Sequence, residues 1–347
     1  MATAGDGDGD GDGEEAMTGF PYLRRRRDGS IRRLKGTKTV PPSVDSATGV
    51  ASKDVTIVSS TGVFVRLYLP PPPPSPQEKL PVVVYFHGGG FCIHSPASLT
   101  YHAYLNSLAA AARAICVSVG YHLAPEHPLP AAYQDSWAAL SWVAAQASGA
   151  TPAAPPEPWL SEHGDFTRVF LAGDSCGANI AHNIAMRAAV ETLSSGVEID
   201  GLVAVHPMFW FSLAAGDSAS GFTESGKVAF EVAWRSVYPS SVKGLEEPCL
   251  NPAAAEAPSL AALGCRRVLL CLAERDRWRY FGRRYYEALE RSGFRGPLEK
   301  LETEGEGHVF HLLKPGCDGA REMMERVTAF IRGESNPSVD SIPIHRL

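Results

Sequence analysis

At 347 residues, with 44% hydrophobic and 9% aromatic side chains, the chain is long enough to bury the core of one large α/β domain with a small appendage. Its net charge of −6 argues against a general nucleic-acid binder, and no apolar run approaches the roughly 20 residues of a membrane span. Seven cysteines without metal-ligand spacing, and a start with no apolar leader, point to a reduced, cytoplasmic setting.

In chain order, residues 1–18 read as a disordered acidic Gly/Asp tail, because such a repeat has no surface to bury. The basic cluster Arg24 to Arg27 with Arg32 and Arg33 can be read as a nuclear-import signal. It flanks the turn pair Asp28-Gly29, however, which favours a charged edge hairpin over residues 22–34. A second hairpin pairs Asp54–Ser59 with Val63–Leu69 around Thr61-Gly62, and five prolines, Pro70 to Pro74, follow as a stiff connector.

From Leu80 onward strands alternate with helices. Strands are expected at 82–86, 114–119, 168–172, 201–206, 267–273 and 298–301, and helices at 98–113, 131–147, from about 176, and at 320–331. That rhythm implies βαβ units and a parallel sheet covered on both faces, with ligand chemistry at the carboxyl ends of the strands. A Pro-rich linker at 151–158 interrupts it. So does the segment 207–258, whose aromatics and helical run at 227–237 suggest a lid closing together with residues 19–50. The tail 333–347 is expected to be disordered.

Two glycine motifs follow strand-like runs: His87-Gly88-Gly89-Gly90-Phe91 and Gly173-Asp174-Ser175-Cys176-Gly177. The second fits a serine on a tight strand-to-helix turn. The first fits a loop whose backbone N–H groups approach a developing oxyanion without a Cβ in the way. A serine hydroxyl becomes nucleophilic only beside a base, and that base needs a third group to fix its tautomer. In the chain order such folds use, a carboxylate and then a histidine follow the serine. Asp276, after strand 267–273, and His308, after Glu304-Gly305-Glu306-Gly307, meet that requirement; Glu274 and His311 are the competing choices. The candidate oxyanion donors are the N–H groups of Gly88, Gly89, Gly90 and Cys176. His87 and Asp174 are read as supporting residues, and the Cys176 side chain as small packing. No histidine pair shows HxxxH or HxH spacing, so no metal is expected.

These residues, together with Tyr121-His122-Leu123-Ala124-Pro125-Glu126-His127-Pro128 and Gly307-His308-Val309-Phe310-His311-Leu312, resemble the plant carboxylesterases, in the hormone-sensitive-lipase-like branch of α/β-hydrolases. The resemblance runs from about Tyr22 to Arg332. It implies an α/β-hydrolase fold, a Ser175–His308–Asp276 triad and an oxyanion hole at the glycine loop. It further implies no cofactor and small-molecule ester substrates of short to medium acyl length; neither a membrane nor an obligate protein partner is expected. The chain departs from the family at His122 (usually Arg), Cys176 (usually Ala), Ala178 (usually Gly) and Tyr280 (often Asp). Similar scaffolds serve as gibberellin receptors, which lack the catalytic histidine, and as hydroxyisoflavanone dehydratases. Retention of His308 favours an enzyme over a receptor.

Overall fold

Eleven strands and eight helices are seen in the computed structural model, which describes residues 14–17, 19–72, 75, 78–148, 156–212 and 223–334. The Gly5–Gly13 repeat, most of the 151–158 linker, residues 213–222 and the tail from 335 lie outside the described residues.

A small antiparallel sheet comes first, made of β1 (Glu15–Met17), β2 (Phe20–Arg25) and β3 (Ile31–Arg33). Part of the segment assigned to a disordered tail is therefore a strand. The reason is charge: Glu14 pairs with Arg26 and Arg32, so the basic cluster holds the acidic end of the arm. The hairpin itself closes between Arg26 and Ser30 rather than through two residues, with Gly29 at φ +84°. A three-residue turn with glycine in the left-handed region explains the difference.

Next come β4 (Ala51–Val58) and β5 (Val63–Leu69), then β6 (Leu80–Phe86), α1 (Leu99–Ala112), β7 (Ile115–Gly120), α2 (Ala131–Ala145) and α3 (Pro158–His163). They are followed by β8 (Gly164–Asp174), α4 (Cys176–Ala188), β9 (Ile199–Val205), α5 (Glu224–Val237) and β10 (Val268–Ala273). The chain closes with α6 (Arg279–Ser292), β11 (Leu298–Thr303), α7 (Phe310–Leu313) and α8 (Asp318–Arg332). Helix α6 escaped the sequence reading, because its long Arg- and Tyr-rich face masks the apolar stripe of Phe281, Tyr285 and Leu289.

Strands β4 to β11 form one eight-stranded sheet, in the order β11-β10-β9-β8-β6-β7-β5-β4. The β4–β5 and β5–β7 pairings are antiparallel and the other five are parallel. Successive side chains of a strand face opposite ways, and β6 uses both directions for core. Val82, Val84 and Phe86 pack toward α2, α4 and α6, while Val83 and Tyr85 pack toward α1 and α8. A strand buried on both faces reads as a continuous apolar run, which is why Leu80–Phe86 has no polar alternation.

Candidate active site

The turn that carries Ser175 joins β8 to α4, and its two glycines are forced by contact. A Cβ on Gly177 would lie 2.0 Å from the Phe86 carbonyl oxygen, and one on Gly173 would lie 2.5 Å from the Gly177 backbone. With nothing larger at either place, the turn tightens until Ser175 sits at φ 55°, ψ −121°. Few non-glycine residues adopt that conformation, and here the surrounding backbone holds it: Ser175 N–H donates to Val205 O (2.9 Å), and Met208 N–H to Ser175 O (3.1 Å). The hydroxyl is thereby presented above the carboxyl ends of the strands.

His308 Nε2 lies 3.0 Å from Ser175 Oγ, and His308 Nδ1 lies 2.7 Å from Asp276 Oδ2. Asp276 also accepts the Trp278 N–H at 2.9 Å. Burial works against an ionised Asp276, but the His308 hydrogen bond, the His308 charge and the Trp278 N–H outweigh it and hold the carboxyl below its usual range. Of the competing choices, Glu274 instead accepts the Gly305 N–H (2.8 Å) and shapes the histidine turn. His311 is buried, and among the described residues its ring nitrogens have no partner. Burial pushes its imidazole down to about 3.

The glycine loop needs one correction. Gly88 N–H is not aimed at a substrate: it donates to Tyr101 Oη (2.8 Å) and to Asp174 Oδ1 (3.1 Å). A Cβ there would strike Asp174 Oδ2 at 2.3 Å, so this glycine serves packing. Asp174, fully buried, also accepts the hydroxyls of Tyr85 and Tyr101, each at 2.9 Å. Gly89 and Gly90 follow at φ +112° and +62°, and Phe91 continues at +64°. Among the described residues no hydrogen bond is seen from the Gly89 N–H, the Gly90 N–H lies against the Cys176 sulfur, and Cys176 N–H opens α4 where no intrahelical acceptor exists.

The Cys176 side chain does more than pack. Its sulfur accepts the Phe91 N–H at 3.2 Å, tying the glycine loop to the Ser175 turn. Burial pushes the thiol up to about 12, so it is not a competing nucleophile. His87 faces the Gly88 carbonyl through Nδ1 (2.8 Å) and stacks on Tyr121 at 4.3 Å; burial lowers it to about 3. Its ring is neutral and braces the start of the glycine loop. His122, where the family has arginine, still spans two elements, with Nδ1 on Asp135 (2.7 Å) and Nε2 on Thr61 O (3.1 Å).

His206, which the sequence places at the end of a strand with no role in the site, lies just past β9, and its Nδ1 accepts the Val309 N–H at 3.0 Å. Only its place after a strand, beside Ser175 and Asp276 in the same relation, could have pointed to it. Ligating atoms of His206, Asp276 and His308 lie within 4.8 Å of one another, but those of Asp276 and His308 already bond each other.

The arm reaches this site. A Cβ on Gly90 would meet the Phe20 ring at 3.5 Å, and Gly19 abuts Ala233 of α5. Arg33 anchors the arm through both Glu126 oxygens (2.7 Å each) and the carbonyls of Cys92 (2.7 Å) and Ala124 (3.3 Å). Trp210, Phe230 and Trp278 pack in series, with ring centroids 5.6 and 4.9 Å apart.

Comparison with known proteins agrees with this architecture. An α/β-hydrolase-fold family matches residues 83–312. The chain is similar to probable carboxylesterase 2 of Arabidopsis thaliana, 41% identical over 311 residues that cover 90% of this chain and 94% of the relative. It is as similar to 2-hydroxyisoflavanone dehydratase of Glycyrrhiza echinata, 41% identical over 313 residues and covering 90% and 94%. Among solved structures, an esterase of Pyrobaculum calidifontis superposes with a TM-score of 0.65 at 28% identity, covering 81% of this chain and 84% of that one. No helix among the described residues is long and apolar enough to cross a membrane. The chain belongs to the α/β-hydrolase family and is a relative of the plant carboxylesterases.

Proposed function

We propose that the protein is a serine carboxylesterase in which Ser175, His308 and Asp276 form the triad and Gly89, Gly90 and Cys176 supply the oxyanion donors. The observation that carries this reading is the continuous line from Ser175 Oγ to His308 Nε2 (3.0 Å) and from His308 Nδ1 to Asp276 (2.7 Å). Ser175 Oγ attacks the ester carbonyl carbon while His308 Nε2 takes its proton. Asp276 holds the Nδ1–H tautomer and stabilises the imidazolium. The carbonyl oxygen becomes an oxyanion facing the three N–H groups, each worth about 2.7–4 kcal/mol to the transition state. His308 then protonates the departing alcohol, and it activates the water that releases the acid from Ser175.

Residues 19–50 and 207–258 are proposed as a lid that limits substrates to short and medium acyl chains. Phe20 against Gly90 and the contact of Gly19 with Ala233 support this. The substrate is a small ester bound without cofactor, metal or obligate protein partner. The cytoplasmic setting belongs to the same proposal, and imaging of a fluorescent fusion tests it.

Identity of 41% to a 2-hydroxyisoflavanone dehydratase favours elimination of water from such a substrate as the second reading. Hydrolysis of p-nitrophenyl butyrate by wild type and Ser175→Ala separates the two. The esterase reading expects the variant to lose about 10⁴–10⁶-fold in turnover. An unimpaired variant removes it, and elimination without ester hydrolysis installs the dehydratase.

A further inference from the structure

We propose that His206 is a positioning residue for the base, using its Nδ1 lone pair to hold the loop that carries His308. The inference rests on the triad reading above. Val309, next to His308, stands at φ 49°, ψ 33°. A β-branched side chain in the left-handed region is strained, and such a conformation persists only where its surroundings impose it. What imposes it here is the bond from Val309 N–H to His206 Nδ1 at 3.0 Å.

The acceptor is itself fixed. His206 N–H continues the sheet by donating to Cys271 O at 2.8 Å, and the residue is 1% exposed. Its ring packs against His308, Phe310 and His311, with centroids 5.9, 5.4 and 5.6 Å away. The end of β9 thus sets where the backbone after His308 runs, and with it the direction of the imidazole.

The contact also dictates the tautomer. An N–H donor at Nδ1 requires a lone pair there, so the proton sits on Nε2. Burial, with His311 and His308 adding to it and Asp276 opposing, lowers the His206 pKa well below its ordinary value and keeps the ring neutral. Nε2 has no partner among the described residues, so the one hydrogen bond that the imidazole makes is the one to the base loop.

Three variants and one measurement on the wild type test this. Asparagine places its carbonyl oxygen where Nδ1 lies; glutamine places its own near Nε2; leucine offers no acceptor. With p-nitrophenyl butyrate, His206→Asn is expected to keep kcat within about threefold. His206→Gln and His206→Leu are expected to lose about ten- to a hundredfold in kcat with KM changed less than about twofold, as a displaced catalytic group would. Full activity of the glutamine variant, or equal loss in the asparagine and glutamine variants at matched thermal stability, overturns the proposal. Histidine ¹⁵N NMR of the unmutated protein provides a check independent of variant folding: an Nε2–H tautomer is expected for His206, and an Nδ1–H tautomer overturns it. Ser175→Ala run in parallel keeps the two readings apart. If it remains active the triad itself fails, whereas an inactive Ser175→Ala beside a fully active His206→Gln removes only the role of His206.

Discussion

Asp174 is the residue whose chemistry is least visible in its motif. At the end of a strand and just before Ser175 it looks like a spacer, yet it gathers Tyr85, Tyr101 and the Gly88 N–H around one fully buried carboxylate. Burial raises it, hydrogen bonds from Tyr101 and Tyr85 with the His308 charge and the Gly88 N–H pull it back, and the balance stands at about 6 against an ordinary 3.8. A pKa raised on folding means that between about pH 4 and 6 the folded chain retains a proton the unfolded chain has released. Stability is therefore fullest below about pH 4 as far as this group is concerned, and declines as pH rises through 6, by an amount on the order of 3 kcal/mol. Asp174→Asn is expected to remove that slope in urea denaturation at pH 4 and pH 7. It is also expected to lower kcat, because one amide N–H would face groups that are themselves donors. An unaltered pH slope would show that the carboxylate is ionised throughout.

At the level of elements, the decisive unit is strand–turn–helix. Strand β8 delivers Asp174, α4 begins at Cys176, and the turn between them is as tight as the Phe86 carbonyl permits. Gly177→Ala would place a Cβ 2.0 Å from that oxygen, with backbone on both sides and no flexible side chain to yield. The helix start must then move away from β6, carrying the Cys176 N–H and Ser175 with it. We expect a kcat loss of at least about a hundredfold and a lower melting temperature, read by p-nitrophenyl butyrate kinetics and calorimetry. A variant with wild-type kcat would show that the elbow can relax without moving the nucleophile. The Cys176 sulfur belongs to the same unit, since it joins the turn to Phe91 just past the three glycines.

For the whole molecule, the eight-stranded sheet and the N-terminal arm are separate hydrogen-bonded systems: among the described residues β1, β2 and β3 pair only with one another. The arm is fixed instead by side chains, above all Arg33 on Glu126 and on the carbonyls of Cys92 and Ala124, close to the glycine loop. Removal of residues 1–35 is accordingly expected to leave the hydrolase sheet folded, with a small fall in melting temperature, while uncovering the surface under Phe20. KM for p-nitrophenyl butyrate should rise by about tenfold, the value of roughly 1.4 kcal/mol of apolar contact. An unchanged KM would separate the arm from substrate binding.

What the amino-acid order determined by itself was local and repetitive: the alternation of buried runs with helical stretches, the glycines that close turns, and the sequence serine, carboxylate, histidine. These signals survive because each depends on a few neighbouring residues obeying fixed periods and steric limits. Helix α6 stayed hidden because its polar face outweighs its apolar stripe in any short window. Which glycine N–H faces outward, and that His206 meets Val309, depended on atoms 13 to 103 positions apart in the chain. Only the closed sheet decides those, since a buried donor is claimed by whichever acceptor packing brings within reach.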